Sequence, residues 1–138
     1  MAKGDLPNLK KSLATALDNG MTVNQAKEVL VHLYAYTGFP RSLNALSTLN
    51  NLVQERKAAG INDEMGPDAT PLDPSVDRLA QGTEIQTAIS GRVVTNEFAP
   101  IINTFLREHL FYDIFARDVL TWQQRELATV ARWQASAT

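Results

Sequence analysis

Apolar residues recur along this chain at helical rather than strand spacing. Leu6, Leu9, Leu13, Ala16 and Leu17 share one helical stripe, and Asn19-Gly20 supplies a left-handed stop. This pattern predicts a first helix from about Asp5 or Pro7 to Asp18. Thr22, with Gln25 three residues on, has the spacing of a capping box. The helix it opens is apolar nearly all round: Ala26, Val29, Leu30, Leu33 and Thr37 make one broad face, and Val31 and Tyr34 cover much of the rest. Such a helix belongs deep in a bundle or in a subunit interface. Gly38 interrupts it and Pro40 restarts the chain, because a proline in the first helical turn loses no hydrogen bond. Leu43, Leu46, Leu49, Leu52 and Val53 carry this third helix to a stop at Gly60.

Residues 61–74, rich in Pro, Gly and Asp, read as a loop. Ser75 is a candidate cap for a thinly apolar helix over roughly 76–90, ended by Ser90-Gly91. Further on, Ile101, Ile102, Phe105, Leu106 and Leu110 form an amphipathic stripe, continued by Phe111, Ile114, Phe115, Val119 and Leu120. Thr121 and Gln124 repeat the capping-box spacing before a final helix that carries Leu127, Val130 and Trp133. Val93-Val94-Thr95 is the only β-like run, and it is short. The predicted fold class is all-α.

Composition narrows the functions. The chain has 138 residues, 44% of them hydrophobic and 20% charged, which suits one globular domain. A net charge of −2 without a basic cluster gives no footprint for nucleic acid. No apolar run approaches the roughly 20 residues a bilayer crossing needs, and the start lacks the apolar core of a signal peptide, so a cytoplasmic location is expected. There is no cysteine, which removes disulfides, thiolate nucleophiles and thiol peroxidase chemistry. The two histidines, His32 and His109, are too far apart in sequence for a His-x-x-x-His pair, and no metal is expected.

Candidate chemistry gathers between Glu28 and Ala45. Glu28, His32 and Tyr36 are spaced four apart and so share one helical edge. A carboxylate one turn before an imidazole orients it for general acid–base work. The same spacing equally suits a core histidine satisfied by its neighbour, and Tyr36 equally suits a buried ring with a bonded hydroxyl. Arg41, just past the helix restart, has the donor fork for a carboxylate ligand. His109 lies on the edge of the Phe105/Leu106/Leu110 stripe and is either structural or pocket-lining.

Three segments resemble the carboxymuconolactone decarboxylase family, which includes the AhpD-type alkylhydroperoxidases. They are Asn19-Gly-Met-Thr22, Glu28-Val-Leu-x-His-x-x-x-Tyr36-x-Gly38-x-Pro40-x-x-x-Asn44-Ala45, and Arg125-Glu-Leu-Ala-Thr-Val-Ala131. In the family's usual order the Arg-Glu-Leu-Ala-Thr helix comes first; here it comes last. The resemblance therefore implies an AhpD-like helical bundle in permuted order, or a segment of a tandem two-domain protein. In either case residues 1–60 form a C-terminal-type half, 61–95 a linker with a weak helix, and 96–138 an N-terminal-type half. The final helix is expected to dock on the Thr22–Thr37 helix, within one chain or swapped between subunits of a homo-oligomer. By resemblance Glu126 joins Glu28 and His32 as a catalytic candidate, and Arg125, Tyr36, Arg41, Ser12 and His109 are substrate-binding candidates. Ser12 stands where decarboxylase members usually have a histidine. The implied activity is a cofactor-free lyase on a small carboxylated or lactone substrate; the alternative is a helical assembly or binding module that keeps the fold without the chemistry.

Overall fold

The structure, a computed structural model, describes residues 1–137, with side chains through Gln134. It is helical, with no strand among the described residues. Among the described residues seven α-helices follow in order: α1 (Leu6–Asp18), α2 (Val23–His32), α3 (Tyr34–Thr37), α4 (Phe39–Ala58), α5 (Arg78–Ser90), α6 (Ile101–Thr104) and α7 (Trp122–Ala137). A π-helix, Phe105–Ile114, continues directly from α6. The fold divides into two compact units. One joins Met1–Asp68 to the segment from Val119 onward, and the other is Ala69–Asp118.

In the first unit α1 and α2 both pack on α4. Leu13 and Leu17 of α1, Val23, Ala26 and Leu30 of α2, and Ala45, Leu49 and Leu52 of α4 form its apolar core. Local chemistry fixes where α2 begins. The Thr22 hydroxyl accepts from the Gln25 amide while the Gln25 side chain accepts from the Thr22 amide, completing the capping box. Two more first-turn amides donate to the loop that follows α4: Val23 to the Glu64 carbonyl and Asn24 to the Met65 carbonyl, both at 2.9 Å. The Asn24 side-chain amide donates to Gly66, also in that loop. Arg56 clamps the loop from the other side through two 2.8 Å bonds to Asp63. Every first-turn donor of α2 named here has a partner, which is what a buried helix start requires.

The predicted Thr22–Thr37 helix is in fact two. The ladder breaks at Leu33, a short turn covers Tyr34–Thr37, and Gly38 (φ +88°) swings the chain into α4 through a conformation that suits glycine. The buried Ser42 hydroxyl donates to the Leu30 carbonyl at 2.8 Å across this corner.

In the second unit α5 lies along the π-helix. The approach is close enough that a Cβ on Gly82 would overlap the Arg107 carbonyl. Two expectations fail here. Ser75 does not cap α5: its amide and hydroxyl both bond Asp73, and the Asp77 carboxylate takes the cap instead, accepting from the Ala80 amide. An acceptor one residue before the first turn outcompetes a hydroxyl already committed to a local turn. The Ile101/Ile102/Phe105 stripe does not face inward either; all three are exposed, and Phe111, Tyr112, Ile114 and Phe115 are buried instead. From Phe105 onward the i→i+5 bonding of the π-helix changes which side chains share a face; Ile101 and Ile102 precede it in α6.

Candidate functional site

The most polar buried region of the first unit lies where α7 meets α2 and α3. Thr121 and Gln124 form the expected capping box, and Arg125, Thr129 and Arg132 then fall on one edge of α7. Each meets a partner on the other strand of the pair. Arg125 Nη2 bonds Glu28 Oε1 at 2.8 Å. Thr129 Oγ1 lies 3.0 Å from His32 Nε2. Arg132 Nη2 donates to the Tyr36 carbonyl at 2.7 Å. The first two rungs have the same sequence separation, 97, and the third has 96. A constant offset requires the two helical segments to run parallel. The final helix therefore docks on α2 in the same chain.

Its docking face is not the apolar one. Leu127, Val130 and Trp133 are 69%, 49% and 60% exposed, whereas Arg125 is fully buried and Thr129 is buried. The side chains expected to drive the contact point to solvent, and the polar edge points inward.

Burial and neighbouring charge set the protonation states. His32 is wholly inaccessible, and its pKa falls to about 4. Desolvation is the main cause and the Arg125 charge adds to it, while the Arg125 carbonyl and Glu28 pull weakly upward. The imidazole is therefore neutral at pH 7. Burial raises the Tyr36 phenol; the Thr129 hydroxyl beside it lowers it, and the Glu126 carboxylate raises it. The Tyr36 and His32 ring centroids are 5.5 Å apart. Together these groups run from an exposed carboxylate, Glu126, through half-buried Tyr36 to buried His32.

Glu28, His32, Tyr36 and Arg125 are thus brought together, with Glu126 at the outer edge of the group. The remaining candidates lie elsewhere. Ser12 is exposed on α1, in a depression of about 390 Å³ that it shares with Met1, Asp5 and Leu9. Arg41 is exposed in the first turn of α4, near enough to the Met1 amine to oppose its protonation. His109 belongs to the second unit, where its Nδ1 lies 2.9 Å from Asp113, a carboxylate also held by Arg78. A separate groove of about 360 Å³ lies on another face of α2, lined by Val23, Leu49, Val53 and Met65, and no candidate residue lines it. Among the described residues no three carboxylates or histidines converge as metal ligands, and no helix is long and apolar enough to cross a membrane.

Thr129 and Arg132 were not singled out from sequence. Their signal is present all the same: Arg125-x-x-x-Thr129-x-x-Arg132 places three polar side chains on one edge of α7, and its first interval of four matches that of Glu28-x-x-x-His32.

Fold and site together define an all-helical protein with a buried polar ladder between two parallel helices from distant parts of the chain. No family model, curated protein or solved structure matches it.

Proposed function

We propose that this chain is a carboxymuconolactone decarboxylase-like lyase that acts without cofactor on a small carboxylated or lactone substrate. In this reading it works as a cytoplasmic homo-oligomer with the helical bundle of that family in permuted order. The observation that supports it best is the grouping of Glu28, His32, Tyr36, Arg125 and Glu126, because those residues lie far apart in sequence and all belong to the segments that carry the resemblance.

Loss of CO₂ needs a place for the electron pair and a proton for the carbon left behind. A conjugated lactone substrate provides the first. The second has to come from a group that holds a proton at pH 7, the Tyr36 hydroxyl, which recovers it from water; the neutral His32 imidazole beside it serves as a base. Tyr36 and Glu126 are the groups a substrate meets first, since His32 is covered. Arg125 bonds Glu28 through Nη2, which ties α7 to α2 at the site.

Purified protein incubated with a carboxylated γ-lactone should release CO₂. His32→Ala should lose that turnover while its melting temperature stays within a few degrees of the parent. Undiminished turnover in this variant removes His32 from the mechanism, and no CO₂ release by the parent removes the lyase.

The complete burial of His32 favours a second reading, a helical assembly or binding module in which the ladder is purely structural. A thermal-shift screen with small carboxylates and lactones distinguishes the two. Stabilisation that disappears in Tyr36→Phe and Glu126→Gln belongs to the enzyme, and indifference to every such compound belongs to the module.

A further inference from the structure

We propose that Thr129 is a positioning residue: its hydroxyl, anchored on the Arg125 carbonyl, holds His32 in the tautomer that carries its proton on Nε2 and leaves Nδ1 as the basic nitrogen. A threonine hydroxyl has one proton to give and two lone pairs to receive with. Thr129 Oγ1 lies 3.0 Å from the Arg125 carbonyl oxygen and 3.0 Å from His32 Nε2. A carbonyl oxygen has no proton, so the Thr129 proton goes to it. With its proton given to the carbonyl, Oγ1 has two lone pairs for its other neighbours, the Tyr36 hydroxyl and His32, so its contact with His32 is made by Nε2–H donating to Oγ1, a proton that the Arg125 carbonyl also attracts.

The opposite tautomer would draw the hydroxyl proton to Nε2 and set Oγ1 and the carbonyl oxygen lone pair against lone pair. Thr129 and His32 are both buried, so no bulk water relieves that repulsion. Glu28, the sequence candidate for orienting the imidazole, bonds Arg125 Nη2 at 2.8 Å. The tautomer is therefore set across the helix pair, from α7 to α2, rather than along α2.

The catalytic consequence rests on the lyase reading: Nδ1 is then the atom that can take up a proton, and Nε2 is only held. The tautomer itself rests on geometry alone, so the two are separable by experiment.

Long-range ¹H–¹⁵N correlation spectra of the uniformly labelled full chain at pH 7 report which ring nitrogen carries the proton. Comparison with His32→Gln assigns His32 against His109. The expected result is an Nε2–H form of His32 in about tenfold or greater excess, consistent with the loss of a buried hydrogen bond in the other form. Thr129→Val keeps the side-chain shape and removes the acceptor, so that excess should fall at least about threefold, and Thr129→Ser should restore it.

A parent spectrum dominated by Nδ1–H overturns the proposal, as does an unchanged excess in Thr129→Val. Should Thr129→Val fail to fold, the parent spectrum and Thr129→Ser still decide, because a lost excess in the serine variant also counts against the proposal. An Nε2–H parent that releases no CO₂ defeats the lyase and leaves Thr129 in its role; turnover with a tautomer indifferent to Thr129 does the reverse.

Discussion

Helix α2 has two neighbours that hold it by opposite means. Toward α1 and α4 it presents Val23, Ala26 and Leu30, which join Leu13, Leu17, Leu49 and Leu52 in one apolar cluster. Toward α7 it presents Glu28 and His32, which meet Arg125 and Thr129. The apolar face gains from every methylene it hides and tolerates small shifts. The polar face gains little on balance, because removing Glu28 and Arg125 from water offsets most of their attraction. It is intolerant of error all the same, since each group left behind is a buried charge or an unmet donor. The apolar face stabilises the unit; the polar face determines which helix docks and in which register.

The largest expected effect tests that division directly. Arg125→Leu leaves Glu28 buried without its cation and should cost about 3–5 kcal/mol in chemical denaturation, whereas the double variant Glu28→Leu/Arg125→Leu should recover most of that loss. Two single costs that simply add would show that the faces do not differ in kind.

Acid sharpens the comparison next. The His32 pKa is about 4 folded and about 6.5 unfolded, so between these values the unfolded chain binds more protons. Stability attributable to His32 is therefore complete above pH 6.5 and falls as pH drops toward 4. The total is on the order of 3 kcal/mol. Denaturation curves at pH 7.5 and 4.5 should differ less in His32→Gln than in the parent by about that amount; equal dependence in the two would mean the imidazole is not held neutral.

A smaller effect is expected at the start of α2, on which both faces depend. Thr22→Ala removes the acceptor for the Gln25 amide and should cost about 1 kcal/mol in the same assay. The smallest lies in the second unit. Arg78 bonds Asp113 in good geometry, yet both side chains reach solvent, so Arg78→Ala should leave the melting temperature essentially unmoved. The contrast with Arg125→Leu then isolates burial, rather than the ion pair itself, as the source of sensitivity.

Much of this was legible in the residues. Helices with clear caps and a regular stripe were placed to within a residue or two: α1 from Leu6 and Asn19-Gly20, and α7 from Thr121 and Gln124. The face of the chain from Phe105 to Leu110 was not, because periodicity arguments assume i→i+4 bonding and a π-helix breaks that assumption without changing composition. The Glu28/His32/Tyr36 edge was visible as a spacing. Its partners were not, since nothing local to α2 says that an arginine 97 residues away will claim Glu28. The outward turn of Leu127, Val130 and Trp133 was missed for a related reason: hydrophobicity ranks faces by their affinity for a core, and here the neighbour offered a carboxylate and an imidazole instead.

The parallel pairing of α2 with α7 also bears on synthesis. Ribosomes add about 5–20 residues per second, so on the order of 5–20 s separate the emergence of Glu28 from that of Arg125. Throughout that interval Glu28 and His32 are without the Arg125 and Thr129 that meet them in the folded chain, while α1, α2 and α4 can already assemble around their leucines. Those two side chains stay wet until α7 emerges, so their pairing follows the assembly of the leucine core rather than leading it.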